Sequence, residues 1–165
     1  SRLNNTLREV KGYTYGARSG FDMRKMAGPF TASAEVVAGK SDSALLVFMS
    51  ELNAIRQTVP ADELLRAKRY TQLRLPWSFE TTAQIASGLI PIALYDLPAD
   101  YFSNYVSNIE AVTQADVQRV ANKYINPASL AIVIVGDRKT IESGLRATKV
   151  GTVSVRDISG QPIQQ

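Results

Sequence analysis

The densest concentration of side chains able to do chemistry lies near the start of the sequence. Arg8, Lys11, Tyr13, Tyr15 and Arg18 fall within eleven residues. A guanidinium is a planar fork of N–H donors, and a phenol adds one O–H. Side by side, the two suit an oxyanion or a peptide carbonyl. Arg8 lies one helical turn before Gly12, and Tyr13 and Tyr15, two apart in an extended run, are expected on one sheet face. Arg8 and a strand tyrosine can therefore converge on one spot. The same residues allow a plainer reading, in which the tyrosine rings pack in the core and Arg8 makes a surface ion pair with Glu9 or another acid.

Composition removes many alternatives. The 165 residues contain no Cys and no His. Disulfides, Cys/His zinc sites, thiol catalysis and any imidazole base are excluded on that ground. A metal would need carboxylates. The nearest pairs, Asp62/Glu63 and Asp96/Asp100, are expected at helix starts, where acids stabilise the macrodipole. No calcium-loop spacing and no phosphate-binding glycine pattern appears. The formal net charge is +4, and residues 1–25 hold six basic side chains against two acidic ones, so the whole surplus sits there. A basic segment of that kind admits RNA or an anionic surface as a partner. No nucleic-acid recognition motif accompanies it, and a nucleic-acid partner is not expected. No run reaches 18 apolar residues, so no membrane span is expected.

The elements that must position the cluster come from periodicity. Residues 1–8 read as a helix already under way, with Leu3 and Leu7 on one face and Gly12 as its stop. The first residue is Ser1 and not Met, which suggests a fragment. Residues 13–20 and 29–38 read as two strands of a hairpin. A helical period then runs from Ser41 to Val59, and a second helix from Ala61 to about Leu75. A third is expected from Ser78 through Gly88, with Pro91 bending or interrupting the chain after it. A fourth carries Pro98 in its first turn, and Thr113 with Asp116 opens a fifth as a capping box. Residues 129–136 read as a buried central strand, 138–146 as a short helix and 152–157 as a last strand. The predicted fold is α+β, a two-layer sandwich with a mixed, mostly antiparallel sheet and helices packed on one face. Its span is a single, N-terminally truncated domain over 1–158, with a polar tail over 159–165.

Residues 7–16, Leu-Arg-Glu-Val-Lys-Gly-Tyr-Thr-Tyr-Gly, resemble the signature of the C-terminal domain of pitrilysin/insulinase-type zinc peptidases, including the mitochondrial processing peptidase group. These are inverzincins, whose metal motif is H-x-x-E-H. Weaker similarity continues through 1–4, 28–38, Glu63-Leu64, 78–81, 95–98, 109–117 and 132–137. The resemblance implies a substrate-binding domain in which Arg8 and Tyr15 hold the substrate carbonyl or the developing oxyanion. Tyr13 falls at a position the family fills variably and receives no role. The zinc motif is absent from this chain. The resemblance therefore implies that zinc and the general base belong to a partner domain or subunit bearing H-x-x-E-H, with a peptide as substrate. Alone the chain is expected to hold no cofactor and to cleave nothing. A bacterial envelope location is the weakest of its implications. Two further expectations stand beside it: a non-catalytic scaffold or assembly domain of the same fold, and self-association through an exposed sheet edge.

Overall fold

A computed structural model describes residues 1–163. The last two positions of the expected polar tail, Gln164 and Gln165, lie outside the described residues. The chain divides into two compact units. The first comprises Ser1–Gly20, Thr31–Ala54 and Pro127–Gln165, and the second Phe21–Phe30 and Ile55–Asn126.

The first unit is built on a helix and a hairpin. Helix α1, Arg2–Asn4, is capped by the Ser1 side chain and widens directly into a π-helical turn, Asn5–Val10. The widening shows in the bond from the Lys11 N–H back five residues to the Thr6 carbonyl, 3.0 Å. Gly12 ends the helix at φ +63°, a left-handed conformation that glycine adopts without steric cost. Strand β1 is Thr14–Phe21 and β2 is Phe30–Val36. They pair antiparallel, the Val37 N–H donating to the Tyr13 carbonyl at 3.0 Å and the Asp22 N–H to the Pro29 carbonyl at 2.9 Å. Helices α2 (Ser41–Ala54) and α7 (Arg138–Ala147) complete the unit.

The burial of β2 alternates cleanly. Ala32, Ala34 and Val36 pack inward and Thr31, Ser33 and Glu35 are exposed. Leu3, Leu7, Ala17 and Ala44 form the buried cluster beneath that face, with Tyr13, Val47 and Phe48 packed against it. Helices thus cover one face of the sheet and leave the other to solvent, the α+β arrangement expected. Small residues let α7 approach α2: a Cβ on Gly144 would lie 3.2 Å from the Asp42 carboxylate.

The second unit is helical. It holds α3 (Ala61–Arg74), α4 (Thr82–Tyr95), α5 (Tyr105–Ala111) and α6 (Gln114–Tyr124). The predicted capping box of α6 is present, Thr113 accepting from the Asp116 N–H at 3.1 Å and Asp116 accepting from the Thr113 N–H at 3.0 Å. The helix from Ser41 stops at Ala54 instead of continuing to Val59. Pro60 disfavours helical backbone at Val59, and residues 56–59 bond sideways to α6 instead, with the Arg56 carbonyl accepting from Asn122 at 2.8 Å and Thr58 donating to Gln118 at 3.2 Å.

Several expectations are corrected. The third helix starts at Thr82, not Ser78. Thr81 caps it through a box with Gln84, and Ser78 lies in a 3₁₀ turn, Pro76–Phe79. Pro91 sits inside α4 without ending it. Asp96 is not at a helix start: it ends α4 at φ 52°. Pro98 precedes α5 by a turn region instead of opening it. Two strands are not formed. Residues 130–135 retain a strand-like alternation, Ile132 and Ile134 being 44% and 40% exposed and Val133 and Val135 86% and 94%. They join no sheet among the described residues. Apolar β-branched residues favour extended backbone, but a strand is completed only by a neighbour to pair with. The run expected at 152–157 reduces to one antiparallel bridge, Arg156 to Pro162.

Candidate functional site

The helix-to-strand junction of the first unit holds both expected site residues. Arg8 lies in the π-helical turn, and its carbonyl accepts from the Gly12 N–H at 3.1 Å. One residue earlier, the Leu7 carbonyl accepts from the Tyr13 N–H at 2.8 Å. The backbone carrying Arg8 is thus bonded directly to the backbone that enters β1. Leu7 anchors the arrangement, since its side chain is fully buried while its neighbour Arg8 is exposed. The Thr6 hydroxyl donates to Glu51 of α2 at 2.7 Å. The Asn4 side-chain oxygen accepts the Ala17 N–H at 3.1 Å, tying helix to strand a second time.

The side chains behave differently from one another. The Arg8 guanidinium lies 3.5 Å from Glu9, both well exposed, so the surface ion pair of the plainer reading does form. A pair so exposed is weak and easily exchanged for an anionic ligand. Tyr15 is 98% exposed. Tyr13 packs against the core, with the Lys40 ammonium 5.9 Å from its ring centroid. The expectation that Tyr13 and Tyr15 share a face is therefore overturned. Strict alternation would also place Tyr15 with Ala17, which is buried.

The cause is a change of register that period alone does not reveal. Tyr13 pairs with Val37 at one end of the hairpin and Asp22 with Pro29 at the other, so β1 carries one residue more than β2 between those points. The irregularity lies at residues 14–16. There the Gly16 N–H donates to the Thr14 hydroxyl at 3.0 Å, and that hydroxyl donates to the Glu35 carbonyl. An extra residue of this kind is a β-bulge, a feature that re-aims a side chain. Thr14 and Asn4 are the supporting residues that periodicity did not single out. The available signal was a β-branched hydroxyl two residues before a glycine.

The titratable groups that are perturbed lie elsewhere and have structural partners. The Arg66 side chain bonded to Asp62 at 2.6 Å holds that carboxyl below the usual carboxylate range. Asp116 is held at about 2, first by the Thr113 hydroxyl and backbone and then by Arg119. Arg138 and Arg146 lower Glu142. Asp100 accepts from Asn104 at 2.8 Å. No group of three metal-ligating side chains occurs among the described residues. With neither His nor Cys in the sequence, this chain's own donors do not fit a zinc site. Among the described residues no helix is long and apolar enough to cross a membrane.

An exposed arginine and an exposed tyrosine thus flank one helix-to-strand junction of an α+β scaffold. Comparison with known proteins gives that scaffold a family context. Residues 1–71, the stretch that includes Arg8 and Tyr15, match the family model described as the peptidase M16 inactive domain. A crystal structure of a peptidase M16 inactive domain from Pseudomonas fluorescens is similar with a TM-score of 0.68 and 28% sequence identity, over 76% of this chain. The chain spans 30% of the length of that protein. No curated protein matches. Both findings support the resemblance read from residues 7–16: the chain is similar to the C-terminal, non-catalytic domain of M16 peptidases, the pitrilysin/insulinase type.

Proposed function

We propose that this chain forms part of the substrate-binding half of a zinc endopeptidase, with Arg8 and Tyr15 as the groups that meet the substrate. The observation that carries the reading is the presentation of Tyr15. A tyrosine phenol 98% exposed on a strand, beside a helical turn that exposes an arginine, has no packing role to explain it. Arg8 would release Glu9 and donate charge-assisted hydrogen bonds to the substrate carbonyl, with Tyr15 adding an O–H donor. Zinc, held by a partner domain or subunit bearing H-x-x-E-H, supplies activation of water there. This chain's part is to orient the peptide and to place two donors where negative charge develops.

The reading is tested in the assembled peptidase. Arg8→Ala and Tyr15→Phe are expected to lower kcat/KM for peptide cleavage by roughly 10²-fold each, the usual scale for one oxyanion donor, while zinc content is retained. Unchanged kcat/KM in both variants would refute it.

The scaffold reading keeps one observation of its own, the Arg8–Glu9 ion pair, which occupies the arginine without a ligand. An H-x-x-E-H motif in the same polypeptide or an adjacent gene favours the peptidase, and its absence from both favours the scaffold. Self-association through the sheet edge is less well supported at the site itself, because the Ala17 N–H on the outer edge of β1 is already bonded to Asn4.

A further inference from the structure

We propose that Thr14 is a positioning residue for Tyr15: its hydroxyl, set into the β1–β2 ladder between the Gly16 N–H and the Glu35 carbonyl, holds the extra residue that turns Tyr15 out to solvent. This rests on the reading of Tyr15 as a substrate-binding group, and adds to it the device that aims it.

A regular ladder would close differently at this point. After the bulge the pairing that joins Asp22 to Pro29 continues back to Gly16 opposite Glu35, so the Gly16 N–H would donate directly to the Glu35 carbonyl. The Thr14 hydroxyl stands at that point of the ladder. It accepts from the Gly16 N–H at 3.0 Å and shares its single proton between the Glu35 carbonyl, across the strand pair, and the Gly16 carbonyl at 2.9 Å. One threonine side chain thus bonds backbone groups of both strands at the added residue. A hydroxyl can do this because it is at once donor and acceptor. Valine has the same shape and neither capacity, and would remove the bonds that the hydroxyl makes at the half-buried Thr14 and Gly16. Without them the added residue loses its tether, and expelling the bulge restores the regular ladder. Shifting a strand by one residue moves its side chains to the opposite face. Tyr15 would then leave solvent and crowd the packed face that Ala17 and Ala34 occupy.

Two measurements decide the matter. In the chain itself, photo-CIDNP or nitration reads the exposure of the Tyr15 ring. Thr14→Val is expected to lower the Tyr15 signal severalfold and Thr14→Ser, which restores the hydroxyl, to keep the native signal. An unaltered Tyr15 signal in Thr14→Val, or an equal loss in Thr14→Ser, overturns the inference. The serine variant decides even where the valine variant does not fold. In the assembled peptidase, Thr14→Val is expected to lower kcat by roughly 10- to 100-fold, the scale of a misplaced group. Combining it with Tyr15→Phe should add little further loss, whereas fully multiplicative losses overturn the proposal. Should Tyr15→Phe leave turnover unchanged while Thr14→Val still hides the Tyr15 ring, the substrate-binding reading fails and the positioning device stands.

Discussion

Leu7→Ala tests whether the junction is held by packing from below. Leu7 is 0% exposed, and its buried neighbours are Leu3, Ala17 and Ala44. Truncation removes three carbons from a buried site, a transfer cost of about 2.4 kcal/mol at roughly 0.8 kcal/mol per buried carbon. Two of the neighbours are alanines, too short to swing into the space, so a cavity remains. Its cost brings the total to about 3–4 kcal/mol, within the range for leucine truncation in a core. The assay is native-state amide exchange, which reads the first unit separately from the helical one. Amides of β1, β2 and α2 should exchange roughly 100- to 1000-fold faster, a tenfold change corresponding to about 1.4 kcal/mol. An acceleration of less than about tenfold, or roughly 1.4 kcal/mol, would refute the reasoning, because it would mean the cluster collapses around the loss or contributes little. Under the substrate-binding role proposed above, the same variant in the assembled peptidase should weaken substrate cleavage without changing zinc content, since Leu7 adjoins Arg8 and its carbonyl holds Tyr13.

Gly12→Ala should cost about 1–2 kcal/mol, because a Cβ there meets nothing within 4 Å and the strain is purely that of a left-handed backbone at φ +63°; Gly12→Asn should cost measurably less in a urea titration. Asp116 titrates at about 2, below its ordinary 3.8, so its contribution to stability is present above about pH 4 and is lost as pH falls toward 2. Thr113→Val removes the largest cause of that depression, and NMR titration of the Asp116 carboxyl should show it move up toward the ordinary value, with the amides of α6 exchanging faster.

Most helices were legible because they rest on local signals. The Thr113–Asp116 box, the acids in the first turn of α3 and the glycine stop at Gly12 each act within a few residues. Sheet content was less so. The run at 130–135 has the composition and alternation of a strand, but pairing depends on residues far away in the sequence, and no local pattern reports whether a partner is there. Ser78 and Thr81 are both residue types that can cap. The choice fell to Gln84, three residues on from Thr81, whose side chain closes the box.

The site itself shows the sharper limit. Arg8 and Tyr15 are legible from a linear pattern, and each lies at the helix-to-strand junction, Arg8 in the π-helical turn and Tyr15 in β1. Yet the features that present them are departures from period, a π-helical turn around Arg8 and an added residue in β1 before Gly16. Period-based reading averages over such departures, which is why it put Tyr13 and Tyr15 on one face. Both irregularities lie within the same short stretch of chain, each stabilised by a specific bond: the Lys11 N–H to the Thr6 carbonyl at 3.0 Å and the Gly16 N–H to the Thr14 hydroxyl at 3.0 Å. Irregularities of this kind are common where a side chain must be aimed at a ligand. Both fall on the stretch that carries the arginine and the tyrosine of the signature, which supports the proposed role of that junction.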